Sequence, residues 1–384
     1  MKAAAPVTGA WTPASPVGRR QFLTLAAHRP IALDSGERLS DVVIAYETWG
    51  RLDAEASNAI LIEHAWTGDS HVAGNAGAGH QSPGWWEGVV GPGLAIDTDR
   101  YFVVCPNVLG GCQGSTGPAS INSATGRPYG SRFPVVTVRD MVRTQRHLAD
   151  HLGVPRWHSV VGGSLGGMQA LEWAITYPDR VGSLVVLASC LQATAQQIGW
   201  GAIGRRAIRL DPKWRGGEYY DAEPGDGPHE GLSVARTVAQ MTFRSDNVFT
   251  DKFGRQLAND GSTGLWQRFE VERYLDYHGD KLVQRFDANS YLTISKAMDL
   301  HDVARGRGGL EPAVARIAVP TLVVGIWSDI LFPSYQQREI VSMLQARGRP
   351  AHYVEIDSPH GHDAFLIDLD QAGAALSPFL DSPE

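Results

Sequence analysis

One serine in this sequence lies where its hydroxyl could act as a nucleophile. The stretch VVGGSLGGMQALEWA (160–174) surrounds Ser164 with four glycines, between a short apolar run and a segment with helical apolar spacing. Residues 162–166 fit the pattern G-x-S-x-G, which in a strand–turn–helix context holds a serine on a strained bend with its Oγ exposed. We therefore interpret Ser164 as a nucleophile and the backbone N–H of Leu165 as an oxyanion donor. An ordinary glycine-rich turn is the alternative.

The residues that could activate this serine follow it in the chain. A serine hydroxyl needs a general base, and that base needs a carboxylate to orient it. With such a bend, the expected chain order is serine, then acid, then histidine. Asp329 follows the apolar run LVVGIWSD (322–329), and His360 and His362 lie in SPHGHDAFL, after the last predicted strand. Order and placement predict a catalytic triad, with either histidine as the base.

The elements that would position these residues are strands and helices in alternation. Helical spacing occurs at 137–153, where Thr137 and Asp140 resemble a capping box, and at 168–177. Strands that are apolar throughout and alternate with helices predict a parallel sheet covered on both faces. Apolar runs of strand length occur at 41–50, 58–64, 101–107, 157–161, 183–189, 319–329 and 351–358.

The chain divides into a core, an insertion and a tail. From 191 to 309 helical spacing dominates and no strong strand pattern appears, so we predict a helical lid there. The α/β core is then 21–190 together with 310–384, and residues 1–20 form a disordered, Ala/Pro-rich tail. The stretch 18–30 has a twin-arginine start, but its apolar part is shorter than the roughly 7–15 residues of a signal peptide. We predict a first strand there.

Composition excludes several classes of partner. The 384 residues carry a formal net charge of −7, and the pI is near 6.0, which argues against nucleic acid or an anionic membrane surface as a partner. Three cysteines without a CxxC pair predict a reducing, cytoplasmic location and no structural zinc. No apolar run reaches the roughly 18 residues of a membrane span. His64, His71 and His80 lack the spacing of a zinc-binding helix, so we expect structural histidines and no metal.

The same residues carry a family resemblance. The sequence resembles the homoserine O-acetyltransferase family of the α/β-hydrolase superfamily over nearly the whole chain after the first twenty residues. The resemblance implies an α/β-hydrolase fold with an inserted helical lid, and it places the nucleophile on Ser164, the acid on Asp329 and the base on His362. His360 then becomes a residue of the site wall. The stretches that carry the resemblance are HAWTGDSH (64–71), PGWWEGVVGPG (83–93), PNVLGGCQGSTGP (106–118), GGSLGGMQALEWA (162–174) and GHDAFL (361–366).

The resemblance also implies the contacts of the reacting groups. The oxyanion hole would pair the backbone N–H groups of Leu165 and Trp66, although relatives usually carry leucine at the second position. Arg244 would bind the carboxylate of an amino-acid substrate, and Asp363 would bind its ammonium group. Succinyl-using relatives tend to place an arginine where this chain has Leu331. An apolar side chain at that position favours an acetyl donor.

The implied reaction is a ping-pong acetyl transfer from acetyl-CoA to L-homoserine, the first step of methionine biosynthesis from homoserine. Acetyl-CoA is a co-substrate, no other cofactor is implied, and a homodimer through the helical lid is expected. Alternatives on the same triad are a homoserine or serine O-succinyltransferase and an esterase or other hydrolase. A non-catalytic binding protein of the same fold is disfavoured, because it would not need three intact triad residues.

Overall fold

The fold is built on a large, mostly parallel sheet. The computed structural model describes residues 5–25, 30–258 and 264–382. The eight strands of the sheet are β1 (Gln21–Thr24), β2 (Val43–Trp49), β3 (Ala59–Glu63), β4 (Phe102–Pro106), β5 (Ser159–Gly163), β6 (Leu184–Leu187), β7 (Thr321–Ile326) and β8 (Ala351–Ile356). Their order is β1-β2-β4-β3-β5-β6-β7-β8. Strand β2 is antiparallel to its two neighbours, β1 and β4. All other pairs of adjacent strands in the sheet are parallel.

Helices connect and cover these strands. In chain order they are α1 (Val138–His151), α2 (Leu165–Thr176), α3 (Ala195–Leu210), α4 (His229–Phe243), α5 (Asp246–Phe253), α6 (Glu270–Val283), α7 (Ala288–Asp299), α8 (Leu310–Val314), α9 (Tyr335–Gln345), α10 (Ala364–Ile367) and α11 (Leu369–Asp381). Two-residue strands also pair, Ile31–Ala32 with Arg38–Leu39, Val90–Gly91 with Ile96–Asp97, and Ile121–Asn122 with Arg127–Pro128. Short 3-10 helices occur at Gly130–Arg132, Pro178–Arg180, Pro212–Gly217 and Gly361–Asp363.

Helices pack on both faces of the sheet, which confirms the predicted fold class. Successive strand residues point to opposite faces, so Val160 and Val161 of β5 belong to different apolar clusters. The cluster that holds Val160 includes Met141 of α1, and the cluster that holds Val161 includes Leu376 of α11. Each apolar run predicted as a strand overlaps one of the strands β2 to β8.

Local sequence sets the ends of the helices beside the site. The side chain of Thr137 accepts the backbone N–H of Asp140, and the Asp140 carboxylate accepts the N–H of Thr137, so the capping box of α1 is confirmed. Helix α2 begins at Leu165, immediately after Ser164, and ends before Pro178. Because α2 follows β5 without a loop, the turn between them must be sharp.

In the described residues six α-helices lie between β6 and β7, and α3 to α7 are those within residues 191–309. They contact one another through buried side chains, as where the Tyr291 hydroxyl of α7 donates to the carbonyl of Ala235 of α4 (3.1 Å). Residues of α3, α4 and α7 cover the turn that carries Ser164. This arrangement encloses a cavity between the helices and the sheet.

The N-terminal segment differs from the disordered tail that we expected at 1–20. Residues 5–16, which we call the N-terminal strap, are hydrogen-bonded to distant parts of the chain: the N–H of Gly9 donates to the carbonyl of Phe286 (3.2 Å), and that of Trp11 to Cys112 (2.8 Å). The Ala/Pro composition describes local propensity and carries no information on such long-range contacts. Residues 1–4 and part of the predicted first strand, 26–29, lie outside the described residues.

Two further features bear on the environment of the protein. The three cysteines are buried free thiols. In the described part of the chain, no helix has the length and apolar character that crossing a membrane requires.

Candidate active site

Ser164 lies on a strained turn between β5 and α2. Its φ of 58° and ψ of −122° are unusual for a residue with a side chain. Three hydrogen bonds hold this conformation: the N–H of Ser164 donates to the carbonyl of Leu187 (2.9 Å), and its carbonyl accepts the hydroxyl of Ser189 (2.8 Å) and the N–H of Met168 (3.1 Å). The surroundings therefore fix the position of the serine.

Glycines allow the backbone to pass closely at this turn. A Cβ at Gly162 would lie 2.1 Å from the carbonyl oxygen of Gly166, and a Cβ at Gly166 would lie 2.0 Å from that of Glu63. No side chain fits at those distances. Burial raises the pKa of Glu63 to about 8, although hydrogen bonds from neighbouring side chains, including one from Gln145 (2.8 Å), lower it. Burial therefore favours the neutral form of the Glu63 side chain.

The predicted acid and base are in contact. Asp329 follows β7, and its Oδ1 accepts the backbone N–H groups of Leu331 and Phe332, both at 2.8 Å. Its Oδ2 faces Nδ1 of His362 at 2.7 Å. This contact places the proton on Nδ1 in the neutral ring and leaves Nε2 as the basic nitrogen. His362 and Ser164 line the same cavity, so the structure brings the three predicted triad residues together.

The environment of His362 favours its protonated form. Burial opposes protonation, but the charge of Asp329 and its hydrogen bond outweigh burial, so the pKa of His362 is raised above its ordinary value of 6.5. The ring is stacked on Phe332, with centroids 5.0 Å apart, and meets Phe365 edge-on at 5.8 Å. These contacts fix the orientation of the base.

The cavity above Ser164 is small and mostly apolar. Its volume is about 210 Å³, and its wall combines the core with the helices of the insertion. Leu331 contributes to this wall, as expected for an acyl pocket, and is 9% exposed. Trp66 also lines the cavity, and its ring packs against Tyr291 with centroids 4.4 Å apart. Other lining residues are Trp85, Met168, Gln197, Trp200, Met298, Phe332 and Leu366.

The loop that would supply the second oxyanion donor is held by His64. The Nδ1 of its ring contacts the carbonyl of Ala65 (2.8 Å), and its Nε2 accepts the backbone N–H of Val108 (3.1 Å). Burial lowers the pKa of His64, so the ring is neutral and can both donate and accept. Trp66 follows directly, and Leu165 begins α2 on the other side of Ser164.

The two predicted substrate-binding residues, Arg244 and Asp363, are in contact with each other but line different pockets. The guanidinium of Arg244 is 3.3 Å from the carboxylate of Asp363. Asp363 lines the cavity above Ser164, whereas Arg244 lines a separate small pocket together with His360. Our expectation that His360 forms part of the site wall is therefore corrected: it lies behind the Arg244–Asp363 pair, because Gly361, with φ of 69°, turns the chain between His360 and His362.

Two arginines that the sequence analysis missed line the cavity. They are Arg236 of α4 and Arg285, which follows α6. Among the described residues, neither has a carboxylate within 4.0 Å, and burial lowers the pKa of Arg236 although the charge of Asp363 raises it. The available signal was helical spacing, because Arg236 falls on a helix face where Leu232, Ala235 and Ala239 are buried within about one turn of it. A charge on such a face indicates a functional role.

Two of the three histidines considered as metal ligands do form a cluster, with Glu47. Nδ1 of His71 is 2.9 Å and Nε2 of His80 is 3.5 Å from the Glu47 carboxylate, and the three side chains are buried. The two rings are stacked at 3.7 Å, only 9° from parallel. Imidazole lone pairs lie in the ring plane, so one ion could not be in the plane of both rings. The cluster fits the structural role that we expected.

The fold, the strained serine and its histidine–aspartate pair define an α/β hydrolase, and the family model of the α/β-hydrolase fold matches residues 58–369. The chain belongs, within that class, to the homoserine O-acetyltransferase family. It is 51% identical to the homoserine O-acetyltransferase of Thermobifida fusca, over 98% of this chain and 97% of that one. The crystal structure of homoserine O-acetyltransferase from Bacillus anthracis superimposes with a TM-score of 0.87 and 32% identity, covering 95% and 98% of the chains. Esterase E22 is also similar, with a TM-score of 0.85 and 28% identity over 94% of this chain and 99% of that one.

Proposed function

We propose that this protein transfers an acetyl group from acetyl-CoA to the hydroxyl of L-homoserine through an acyl-serine. The observation that carries the proposal is the shared cavity: Ser164 on its strained turn and His362 held by Asp329 open into one enclosed space. The family to which the chain belongs supplies the substrates. We propose no metal or other cofactor, because the serine, the histidine and backbone N–H groups suffice for acyl transfer.

In the first half-reaction, Oγ of Ser164 attacks the thioester carbonyl of acetyl-CoA. Nε2 of His362 accepts the hydroxyl proton, and Asp329 stabilises the imidazolium that forms. The backbone N–H groups of Leu165 and Trp66 are the donors for the oxyanion. When the C–S bond breaks, His362 returns the proton to the sulfur, and CoA leaves as a thiol. The acetyl ester remains on Ser164.

In the second half-reaction, homoserine replaces CoA. Its hydroxyl loses a proton to His362 and attacks the acetyl ester, and Ser164 recovers its proton when the ester bond breaks. We propose that Arg236 binds the homoserine carboxylate and that Asp363 binds the ammonium group, because both line the cavity. Arg244, expected from the resemblance to bind the carboxylate, would instead position Asp363 through their 3.3 Å contact.

Transfer must outcompete hydrolysis of the acyl-serine. The apolar wall and the covering helices leave little room for water, and a homoserine held by its two charges lies close to the ester. The buried, apolar Leu331 supports acetyl over succinyl as the acyl group, since it offers no partner to a second carboxylate.

An esterase is the second candidate, favoured by the similarity to esterase E22. Both functions would use the same acyl-serine, but they differ in the acceptor. A hydrolase releases CoA from acetyl-CoA at the same rate with or without homoserine. A transferase needs homoserine for rapid turnover.

The test is release of free thiol from acetyl-CoA or succinyl-CoA, with homoserine, serine or no acceptor. We expect rapid release only with acetyl-CoA and homoserine together. Homoserine-independent release would establish the esterase instead. Faster release from succinyl-CoA, or a preference for serine, would establish an O-succinyltransferase or a serine acyltransferase.

We also propose a homodimer formed through the helical insertion, in a cytoplasmic protein. Near α6, the residues Leu265, Trp266 and Tyr277 are 86%, 87% and 59% exposed, which is unusual for apolar groups in a monomer. Free, buried cysteines suit a reducing compartment. Light scattering at micromolar concentration should give twice the chain mass, and a monomer at every concentration would contradict the dimer.

A further inference from the structure

One charge in the reaction cavity has no role in the reaction proposed above. Arg285 lines the cavity above Ser164, and no carboxylate of the described residues lies within 4.0 Å of its guanidinium. The residue is half-buried and lies in the connection between α6 and α7. A cation that is partly removed from water without a partner is unfavourable in the free protein. Its position in the cavity therefore indicates a place for an anion.

The charge of Arg285 acts on the other unpaired arginine of the cavity. Burial is the largest cause of the lowered pKa of Arg236, and the charge of Arg285 lowers that pKa further, whereas Asp363 raises it. The two guanidinium groups therefore repel each other across a mostly apolar space. A carboxylate bound to both groups would replace this repulsion by two attractive contacts.

The N-terminal strap holds the backbone that carries Arg285. The side-chain amide of Gln113 donates to the carbonyl of Arg285 (2.6 Å) and to that of Gly9 (3.2 Å). The N–H of Gly9 donates to the carbonyl of Phe286 (3.2 Å). A Cβ at Gly9 would lie 2.3 Å from the backbone nitrogen of Phe286, so only a glycine lets the strap come this close.

A second contact joins the strap to the residue that caps α7. Oδ1 of Asp287 accepts the hydroxyls of Thr8 (2.8 Å) and Tyr219 (2.6 Å), and Oδ2 accepts the backbone N–H of Ser290 (2.8 Å). Asp287 is fully buried, and these donors fix its carboxylate. Because Asp287 is two positions after Arg285, the strap holds the cavity arginine from both sides along the chain.

Arg285 lies at the boundary of two spaces. A pocket of about 440 Å³ beneath the N-terminal strap has Arg285 in its wall, together with Thr8, Gly9 and Trp11 of the strap. The cavity above Ser164 lies on the other side. A long side chain at such a boundary has rotamers that lead into either space. The way in which its backbone is held then decides where the guanidinium lies.

We propose that the N-terminal strap positions Arg285 so that its guanidinium binds, together with Arg236, the carboxylate of the amino-acid acceptor. The inference rests on the proposed transfer to homoserine, and it adds the residues that separate an amino acid from an amino alcohol as acceptor. A carboxylate has two oxygens, and each accepts charge-assisted hydrogen bonds from a guanidinium. Asp363 remains the partner of the ammonium group.

The test compares two acceptors on Arg285→Gln. L-Homoserine carries the carboxylate, whereas 3-aminopropan-1-ol keeps the hydroxyl and the ammonium group without it. We expect kcat/KM for homoserine to fall about tenfold or more, mainly through KM, and kcat/KM for 3-aminopropan-1-ol to stay within about twofold of the wild type. The burst of thiol from acetyl-CoA alone, which involves no acceptor, should be unchanged. An unchanged kcat/KM for homoserine, or an equal loss with both acceptors or in the burst, would overturn the proposal.

The role of the strap is tested through Thr8. Thr8→Val removes the hydroxyl that Asp287 accepts, and it should raise the KM for homoserine about two- to fivefold with kcat nearly unchanged. Thr8→Ser keeps the hydroxyl and should restore the KM. In an Arg285→Gln background Thr8→Val should have no further effect, because the strap acts through that arginine. The same factor in both backgrounds would show a general structural role and refute the positioning.

Thr12→Val is the matched control within the strap. It makes the same chemical change at an exposed residue whose hydroxyl contacts Ser15 of the strap itself (3.2 Å). This variant should behave as the wild type with both acceptors. If it raised the KM for homoserine as much as Thr8→Val, the effect would not come from the contact with Asp287, and the positioning by the strap would fail.

The assignment of Arg285 can be separated from the proposed function. Homoserine-dependent thiol release by the wild type tests the function alone. Calorimetric titration of L-homoserine into the wild type and into Arg285→Gln, without acetyl-CoA, measures binding without any reaction. Binding that is about tenfold weaker in the variant supports the assignment. Equal affinities, or no binding by the wild type, refute it.

Discussion

Two buried histidine–carboxylate pairs in this molecule have nearly the same local geometry. Nδ1 of His362 lies 2.7 Å from Asp329, and Nδ1 of His71 lies 2.9 Å from Glu47. In both pairs burial opposes protonation, but the partner carboxylate outweighs it and raises the pKa of the histidine. Each pair even has a serine nearby, Ser164 in the first case and Ser70 in the second.

The two pairs differ in what surrounds the other side of the ring. His362 opens into a cavity together with a serine on a strained turn. The ring of His71 is stacked on His80, and its Nε2 is buried with no hydrogen-bond partner among the described residues. Ser70 donates its hydroxyl to Glu47 at 3.0 Å. A histidine–carboxylate pair is therefore not catalytic by itself. Catalysis also requires an available nucleophile and space for a substrate.

The largest predicted difference is between the two serines. Ser164→Ala removes the nucleophile and should lower kcat for acetyl transfer by roughly 10⁴-fold or more. Ser70→Ala is the matched control, and it should retain kcat within about threefold because its hydroxyl only supports a buried carboxylate. Steady-state thiol release measures both. Comparable losses in the two variants would show that Ser164 has no special role.

The second largest difference in kcat should be between variants of the two carboxylates, Asp329 and Glu47. Asp329→Asn removes the charge that stabilises the imidazolium of His362, and it should lower kcat by roughly 10³- to 10⁴-fold. Glu47→Gln makes the same chemical change in the other pair and should leave kcat almost unaltered. Its effect should be a loss of stability of about 1–3 kcal/mol, because buried donors lose a charged acceptor. Urea unfolding measures this loss, and a large fall in kcat at unchanged stability would contradict the comparison.

The pH dependence of catalysis should follow His362 alone. The base must be neutral to accept the proton of Ser164, so kcat/KM should fall as pH decreases through the pKa of His362. That pKa is raised, so the midpoint of this limb should lie above 6.5. His71→Gln should leave the midpoint unchanged. If the midpoint moved with this substitution, the fall in kcat/KM at low pH would reflect His71 and not His362.

The smallest predicted effect concerns stability at the second pair. Because the folded-state pKa of His71 is raised, its charge contribution to stability is complete below the unfolded pKa of about 6.5 and is lost as pH rises through the folded value. The difference in unfolding free energy between the wild type and His71→Gln should therefore shrink with rising pH. Urea unfolding across this range measures it. A difference that grew with pH would show that folding lowers the pKa of His71 and does not raise it.

Much of the fold follows from local patterns in the sequence. The apolar runs predict the central strands, and the Thr137–Asp140 pair predicts the start of α1. These features depend on residues close in the chain. The antiparallel direction of β2 and the contacts of the N-terminal strap depend on partners far along the chain, which a local pattern does not contain.

In the candidate site, too, some features follow from local sequence and others depend on distant partners. The turn at Ser164 and the order of Asp329 and His362 could be predicted, because each of these residues lies within six positions of the end of a strand. Which arginine faces the cavity could not, because Arg236 lies within α4 whereas Arg244 follows the end of that helix in extended backbone, and their directions depend on how α4 packs on the core. The available signal was a charge beside the buried apolar residues of α4.

The proposed mechanism requires a covalent acetyl group at Ser164. Mass spectrometry of peptides from enzyme treated with acetyl-CoA and acid-quenched before homoserine is added tests this claim directly. We predict one added acetyl group on the peptide that contains Ser164, lost when homoserine is added before the quench, and absent in Ser164→Ala. Acetylation of another side chain that homoserine removes, or no acylated peptide in enzyme that turns over normally, would contradict it.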